Sequence, residues 1–449
     1  MDDIGAIVGS VDRIDGFPTV DQLAVFLAEL AAARPDRVRL TDIGRSRNGE
    51  PIRAARIGTG EPHIIVLGNP HPNEPLGMAT IRHLVRRLVE DESAVLGASW
   101  HIVPCLDPDG TRLNEAWFGG PMTRTDVARG FYRPPSSQQP EWCFPVAWRG
   151  TTIGTPLPET TALMTLIDRT RPALIASLHN ADFGGGFFYC SGGDQSYWAA
   201  LTGLLEAAQV PVYRGEPDAP GSRAVAPGVF RLPSFSTMAE ALAAADADPA
   251  TVLGGGGSLD YAGRYGTAVL VSELPLWVDA RIDDDSPSQQ CSAEVLDAVA
   301  KAYRELVALI DGAVELCPTP GRAPGPFEQA LRAMRTDLTA MAAAKEMGAA
   351  RAGERIATRG EVFVENYVWI AMMRLRVCGM ALRLLGSEVR DGTPAVARER
   401  SRFGTLFDRW SGEIEAVAPG VVVPLEHLVR AQAGAIVLAA TRVCSGLAV

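Results

Sequence analysis

The feature that most constrains this chain is the apolar run 64–68, Ile-Ile-Val-Leu-Gly, followed at once by Asn69-Pro70-His71-Pro72-Asn73-Glu74-Pro75. The run reads as a buried strand that ends in a turn. On that turn an imidazole and a carboxylate stand three residues apart, so both can face one borderline cation, the ligand chemistry of zinc. By itself the pair describes equally well a capped turn with two solvated side chains. The rest of the chain has to decide between the two.

In chain order, Thr19-Val20-Asp21-Gln22 has the form of a capping box, and Leu23, Phe26, Leu27 and Leu30 follow at helical spacing until Pro35. Val38 and Leu40 alternate with polar residues, Asn48-Gly49 supplies a hairpin turn, and 52–57 is a second extended run. After the His71 turn, 76–88 shows helical spacing and 100–105 reads as a strand. That strand runs into Leu106-Asp107-Pro108-Asp109-Gly110 and a long Pro/Gly/Arg-rich segment to about residue 155, a length that usually carries function. Helix 158–169 leads to strand 173–178, which delivers His179 and Asn180. Gly184-Gly185-Gly186, an extended 187–190, a helix from 194 to about 209 and a proline-rich stretch to 233 come next. Strand 268–272 ends in Glu273-Leu274-Pro275. Strands alternating with helices, with polar turns at strand ends, are the pattern of an open α/β sheet.

At 449 residues the chain exceeds one ordinary core, and two domains are expected. After the linker Cys317-Pro318-Thr319-Pro320-Gly321 the character changes. From about residue 326 the chain is Ala-, Leu- and Arg-rich, broken near Gly386, Gly392 and Pro424, and reads as a bundle of roughly four helices. The expected division is a catalytic domain over 1–316 and an all-α domain over 326–449. Tyr367, Trp369, Met372 and Met373 read as core packing of the bundle. The net charge, 42 − 53 = −11, argues against nucleic acid and anionic lipid as partners and points to a peptide or small molecule. Seven dispersed cysteines without C-x-x-C suggest neither a thiolate zinc site nor a disulfide framework. An acidic amino terminus without an apolar segment, and no run of membrane-spanning length, lead to the expectation of a soluble cytoplasmic protein with no removed pro-segment.

The series His71-x-x-Glu74, Asp107-Pro108-Asp109-Gly110, Asp126-Val127-Ala128-Arg129, Ser177-Leu178-His179, Gly257-Ser258-Leu259-Asp260-Tyr261 and Glu273-Leu274 resembles the zinc carboxypeptidase (M14 metallopeptidase) family over residues 1 to about 315. The resemblance implies an α/β/α sandwich around a mixed, about eight-stranded sheet. It also implies one zinc ion held by His71, Glu74 and His179, with Glu273 as general base. The family's substrate-anchoring Asn-Arg pair reads Ala128-Arg129 here, so Arg129 alone is left to grip a carboxylate. The arginine that polarises the scissile carbonyl matches Arg112 or Arg124, and the pocket-floor position matches Leu259. The tyrosine that closes over substrate would fall near Val252. Asn180, beside His179, is a further candidate substrate contact.

Two imidazoles and one carboxylate leave a fourth zinc position for water, which a nearby carboxylate can deprotonate. His63, His83, His101 and His427 share no motif and read as surface or satisfied imidazoles. The expected function is hydrolysis of the C-terminal peptide bond of a small peptide or peptide-like substrate. The alternatives are an N-acyl amino acid deacylase or amide hydrolase and a non-catalytic zinc-binding interaction protein.

Overall fold

The computed structural model describes residues 5, 8–245, 247–317, 323–389 and 393–449. The expected linker 317–321 and the break at Gly392 lie largely outside them. The chain forms two compact units: 1–119, 136–277 and 423–449 make the first, 120–135 and 278–422 the second.

In the first unit, helix α1 (Val20–Ala33) begins at the expected capping box, with Thr19 accepting from the Gln22 amide and Gln22 accepting from that of Thr19. The strands of its large sheet include β1 (Val38–Arg45), β2 (Pro51–Ile57), β3 (His63–Leu67), β4 (Ser99–Val103), β5 (Leu174–Phe183), β6 (Phe187–Cys190), β7 (Ala224–Ala226), β8 (Val229–Arg231) and β9 (Ala268–Val278). They lie in the order β1-β2-β4-β3-β5-β9-β6-β8-β7. The centre is parallel, β4-β3-β5-β9, and the flanks are antiparallel at β1-β2, β2-β4, β9-β6 and β8-β7, so the sheet is mixed as expected.

Side chains alternate across a strand, and two layers of helix cover the two faces. On one face Ile65, Leu67, Ile175 and Val269 pack against Ala162, Leu163, Leu166 and Ile167 of helix Pro158–Thr170. On the other face lie helix Leu76–Glu90 and the chain's last helix, Leu425–Cys444. Gly77 allows the first of these to touch the sheet, since a Cβ there would stand 2.8 Å from that of Leu178.

The units cut the chain differently from a division at 316/326. Helix Leu425–Cys444 buries Leu428, Val429, Ile436 and Val437 together with a row of alanines, so it is apolar nearly all round and needs cover on several sides. It finds that cover in the sheet unit. Helix Ser292–Val314 instead pairs along its length with Pro326–Ala352 in the second unit, which also holds Ala371–Ser387 and Pro394–Val417. Tyr367 and Trp369 do not pack in a core: they are exposed, on a stretch (Val364–Ile370) wound more widely than an α-helix, which carries side chains off the 3.6-residue row. Among the described residues no helix is long and apolar enough to cross a membrane.

Candidate metal centre

The site is built by strand register. His179 and Glu273 are direct partners on the adjacent parallel strands β5 and β9. Both strands run past the expected ends, to Phe183 and Val278, so the two residues sit within strands rather than after them. The neighbouring β3 stops at Leu67 and pairs with β5 only as far as Ser177. His179 therefore stands just beyond the edge left by β3, and the turn after β3 fills that gap. Asn69 takes a left-handed conformation there (φ 43°), which asparagine tolerates better than most residues, and the turn delivers His71 and Glu74 before the helix starts at Leu76.

The facing atoms converge. Glu74 Oε2 lies 3.1 Å from His71 Nδ1 and 2.8 Å from His179 Nδ1, and Glu273 Oε1 lies 3.7 Å from the same His179 nitrogen. The two imidazole rings are 4.7 Å apart, edge to face. His71, Glu74 and His179 are buried, whereas the Glu273 side chain keeps 18% of its exposure. Glu74, His179 and Glu273 are close enough to share a cation, and so are His71, Glu141 and His179.

Glu141 was not singled out from the sequence. It sits in the turn Pro140–Trp142, buried, with Oε2 3.0 Å from His179 Nε2. Its neighbour Trp142 donates its indole N–H to His71 Nε2 at 2.7 Å. Burial opposes charge on His179, but the carboxylate of Glu141, its hydrogen bond, and then Glu273 and Glu74 outweigh it and hold the imidazole well above its ordinary pKa. Burial likewise opposes charge on Glu141, and His179 and His71 overcome it to hold that carboxyl below its ordinary value. Three carboxylates thus converge on two titratable imidazoles, a donor set of nitrogen and oxygen that fits one borderline divalent cation.

A second layer fixes the histidine strand. Gln432 of helix Leu425–Cys444 is fully buried, accepts from Thr80 Oγ1 at 2.7 Å and donates to the His179 carbonyl at 2.9 Å. Nothing in an alanine-rich helix at position 432 could have announced this. Ser177, whose Oγ lies 3.0 Å from His179 Nε2, was findable, because a two-residue step keeps it on the same face as His179.

The candidate substrate residues are placed elsewhere. Asn180 is one residue from His179 and so on the opposite face; its Oδ1 accepts from the Leu76 amide at 3.3 Å, at the start of the helix behind the site. Arg112 pairs with Glu50 at 3.0 Å and Asp21 at 2.7 Å, carboxylates that occupy the guanidinium a carbonyl would need. Arg124 and Arg129 belong to the second unit. There Arg124 is buried and donates to the carbonyls of Ala418 and Val368, while Arg129 lies over the Phe407 ring, 3.8 Å from Asp408. Leu259 packs partly buried on the core with Tyr261 and Tyr265. Three of the remaining histidines have partners outside the centre: His63 pairs with His101, and His83 meets the Val8 carbonyl.

Residues 23–192 match the family model described as zinc carboxypeptidase. The zinc carboxypeptidase A 1 of Anopheles gambiae is 26% identical over 146 residues, 30% of this chain and 33% of that protein. Carboxypeptidase E of Caenorhabditis elegans is 29% identical over 107 residues, 20% of this chain and 23% of that protein. The chain thus spans about a third or less of the length of these curated relatives. Among solved structures, the carboxypeptidase A of Helicoverpa armigera aligns over 78% of this chain and 79% of its own at 15% identity and a TM-score of 0.40. The family match takes in His71, Glu74 and His179 and stops short of Glu273. The motifs that carry the resemblance and the family model point the same way: residues 23–192 of this chain are similar to a zinc carboxypeptidase domain.

Proposed function

We propose that the first unit is a zinc metallocarboxypeptidase, with His71, Glu74 and His179 holding one zinc ion and Glu273 as general base. The reaction is hydrolysis of the C-terminal amide bond of a small peptide or peptide-like substrate. The observation that carries this reading is the register of β5 and β9, which sets Glu273 beside His179 with Glu74 against both. Zinc, when bound, supplies Lewis-acid polarisation and lowers the pKa of a bound water. The chain's own part is to hold and move protons. Glu273, the most exposed of the carboxylates around His179, takes the proton of the attacking water at a carboxylate oxygen and passes it to the leaving nitrogen. The buried carboxylates of Glu74 and Glu141 flank His179 at Nδ1 and Nε2 and keep the ring oriented.

A second reading, an N-acyl amino acid deacylase or internal amide hydrolase using the same residues, draws support from the arginines. Arg112 pairs with Asp21, Arg124 donates to a main-chain carbonyl and Arg129 lies over Phe407, which favours a substrate without a free carboxylate. One experiment addresses both readings. Glu273→Gln should retain zinc and fold and lose turnover by about 10²–10⁴-fold, because an amide cannot take the proton. With wild-type protein, preference for free-acid over C-terminally amidated peptides supports the carboxypeptidase. Equal turnover of the two moves the assignment to the amide hydrolase, and retained activity in Glu273→Gln moves the base elsewhere.

A further inference from the structure

Glu141 has no part in the proton transfers proposed above, yet its carboxylate is buried and aimed at a metal-binding ring. We propose that Glu141 is a positioning residue of the metal centre: it accepts the Nε2 hydrogen of His179 and so holds the ring with the Nδ1 lone pair towards Glu74 and the cation. The assignment rests on the zinc reading of the site.

An imidazole that gives one nitrogen to a metal must carry its hydrogen on the other, and an ionised carboxylate can only accept. Glu141 Oε2 stands 3.0 Å from Nε2, on the side of the ring away from Glu74 and Glu273, which both face Nδ1. A single cation cannot use both nitrogens of one ring. With Glu74 and Glu273 gathered at Nδ1, the place left for Glu141 is that of a hydrogen-bond acceptor. The Ser177 hydroxyl, 3.0 Å from the same Nε2, also bonds to the Glu141 carboxylate and fixes its position.

The turn that bears Glu141 is fixed on both sides. Thr160 Oγ1 donates to the Pro140 carbonyl at 2.7 Å, the Trp142 amide donates to the Gln139 carbonyl at 2.9 Å, and Phe144 and Gly256 exchange two backbone hydrogen bonds. The arm therefore holds its position without the metal, and a carboxylate placed on it can orient His179 before zinc arrives. The sequence holds no hint of this, because Glu141 reaches His179 from a loop without periodicity.

The test measures zinc affinity of the full-length chain by competition with a chromophoric chelator, beside X-ray absorption of the zinc-loaded protein. Glu141→Ala should bind zinc about 10–100-fold more weakly, and Glu141→Gln, which keeps shape but not charge, about tenfold. In both, the ligands directly around zinc should be those of the wild type. Unchanged affinity in either variant overturns the assignment, and so does loss of an oxygen from the zinc shell, which would make Glu141 a ligand. If Glu141→Ala does not fold, Glu141→Gln decides the question by the same two readouts. A wild-type chain that takes up no zinc overturns the metal reading as well, whereas zinc-binding wild type beside an unaffected Glu141→Gln overturns this inference alone.

Discussion

Among the described residues of the first unit, two clusters of buried or half-buried carboxylates differ in what neutralises them. Around the candidate metal centre, Glu74, Glu141 and Glu273 face the imidazoles of His71 and His179. In the second cluster, Asp107 and Glu159, both fully buried, face Arg47 at 3.4 and 3.1 Å. A guanidinium is a permanent cation, so the second cluster carries its counter-charge inside the fold. An imidazole, unlike a guanidinium, can give up its proton and offer a lone pair in exchange. The first cluster is therefore open to an external cation, and the second is a strut. Burial of acids alone does not mark a functional site; the kind of partner does.

The largest effect should separate the clusters outright. His179→Ala is expected to abolish measurable zinc binding and to cut turnover by roughly 10³-fold or more, about 4 kcal/mol, while metal analysis and thermal unfolding show a folded protein. Unchanged zinc content would mean that the imidazole cluster is not the metal centre. Arg47→Met should do the reverse, costing about 3–5 kcal/mol in urea unfolding because two buried carboxylates lose their cation, with zinc affinity unaltered. If that variant lost zinc and kept its stability, the comparison would collapse.

The next effect is smaller and depends on pH. Burial, opposed by Arg47, pushes Asp107 up to about 6, above the value of an unfolded aspartate. Between those two pKa values the folded state holds a proton that the unfolded state has released, so this group's contribution is present at low pH and is lost as pH rises towards 6. Asp107→Asn removes that dependence. Its stability relative to wild type should rise by on the order of 1–3 kcal/mol between pH 4 and pH 7, read from denaturant midpoints. A flat difference would show that Asp107 is held ionised by Arg47 throughout.

The smallest effect concerns the rim of the metal centre. The Trp142 indole N–H can only donate, so its bond to His71 Nε2 places that ring's hydrogen on Nδ1, towards Glu74. Zinc at Nδ1 needs the other tautomer. Trp142→Phe should therefore raise zinc affinity by a few-fold, about 0.5–1 kcal/mol, in the chelator competition. A fall instead would mean that the indole assists binding.

Much of the candidate metal centre was legible because its signals are local. His71 and Glu74 share one turn after an apolar run, and His179 and Glu273 each continue a buried strand row. Strand parity puts Asn180 on the face opposite His179, where its Oδ1 accepts from the Leu76 amide. The strands outran their expected ends because Asn180 to Phe183 and Leu274 to Val278 resemble turn sequences, yet the two segments go on pairing with each other. The arginines had no local signal of their engagement. Arg112 meets Asp21 and Glu50 from α1 and the β1–β2 turn region, 91 and 62 residues away, and Arg124 meets carbonyls 294 and 244 residues away.

By itself the sequence determined which segments are helix or strand, which of their faces are buried, and which turns carry imidazole and carboxylate, because periodicity and capping act over a few residues. Only the tertiary structure decided what each buried face meets. It placed the last helix in the sheet unit with Gln432 under His179, sent residues 120–135 to the helical unit, and brought Glu141 from an irregular loop to the metal centre. The physical reason is that a hydrophobic face demands cover without naming it, and a carboxylate's partner is set by loop closure over tens to hundreds of residues, which no local pattern records.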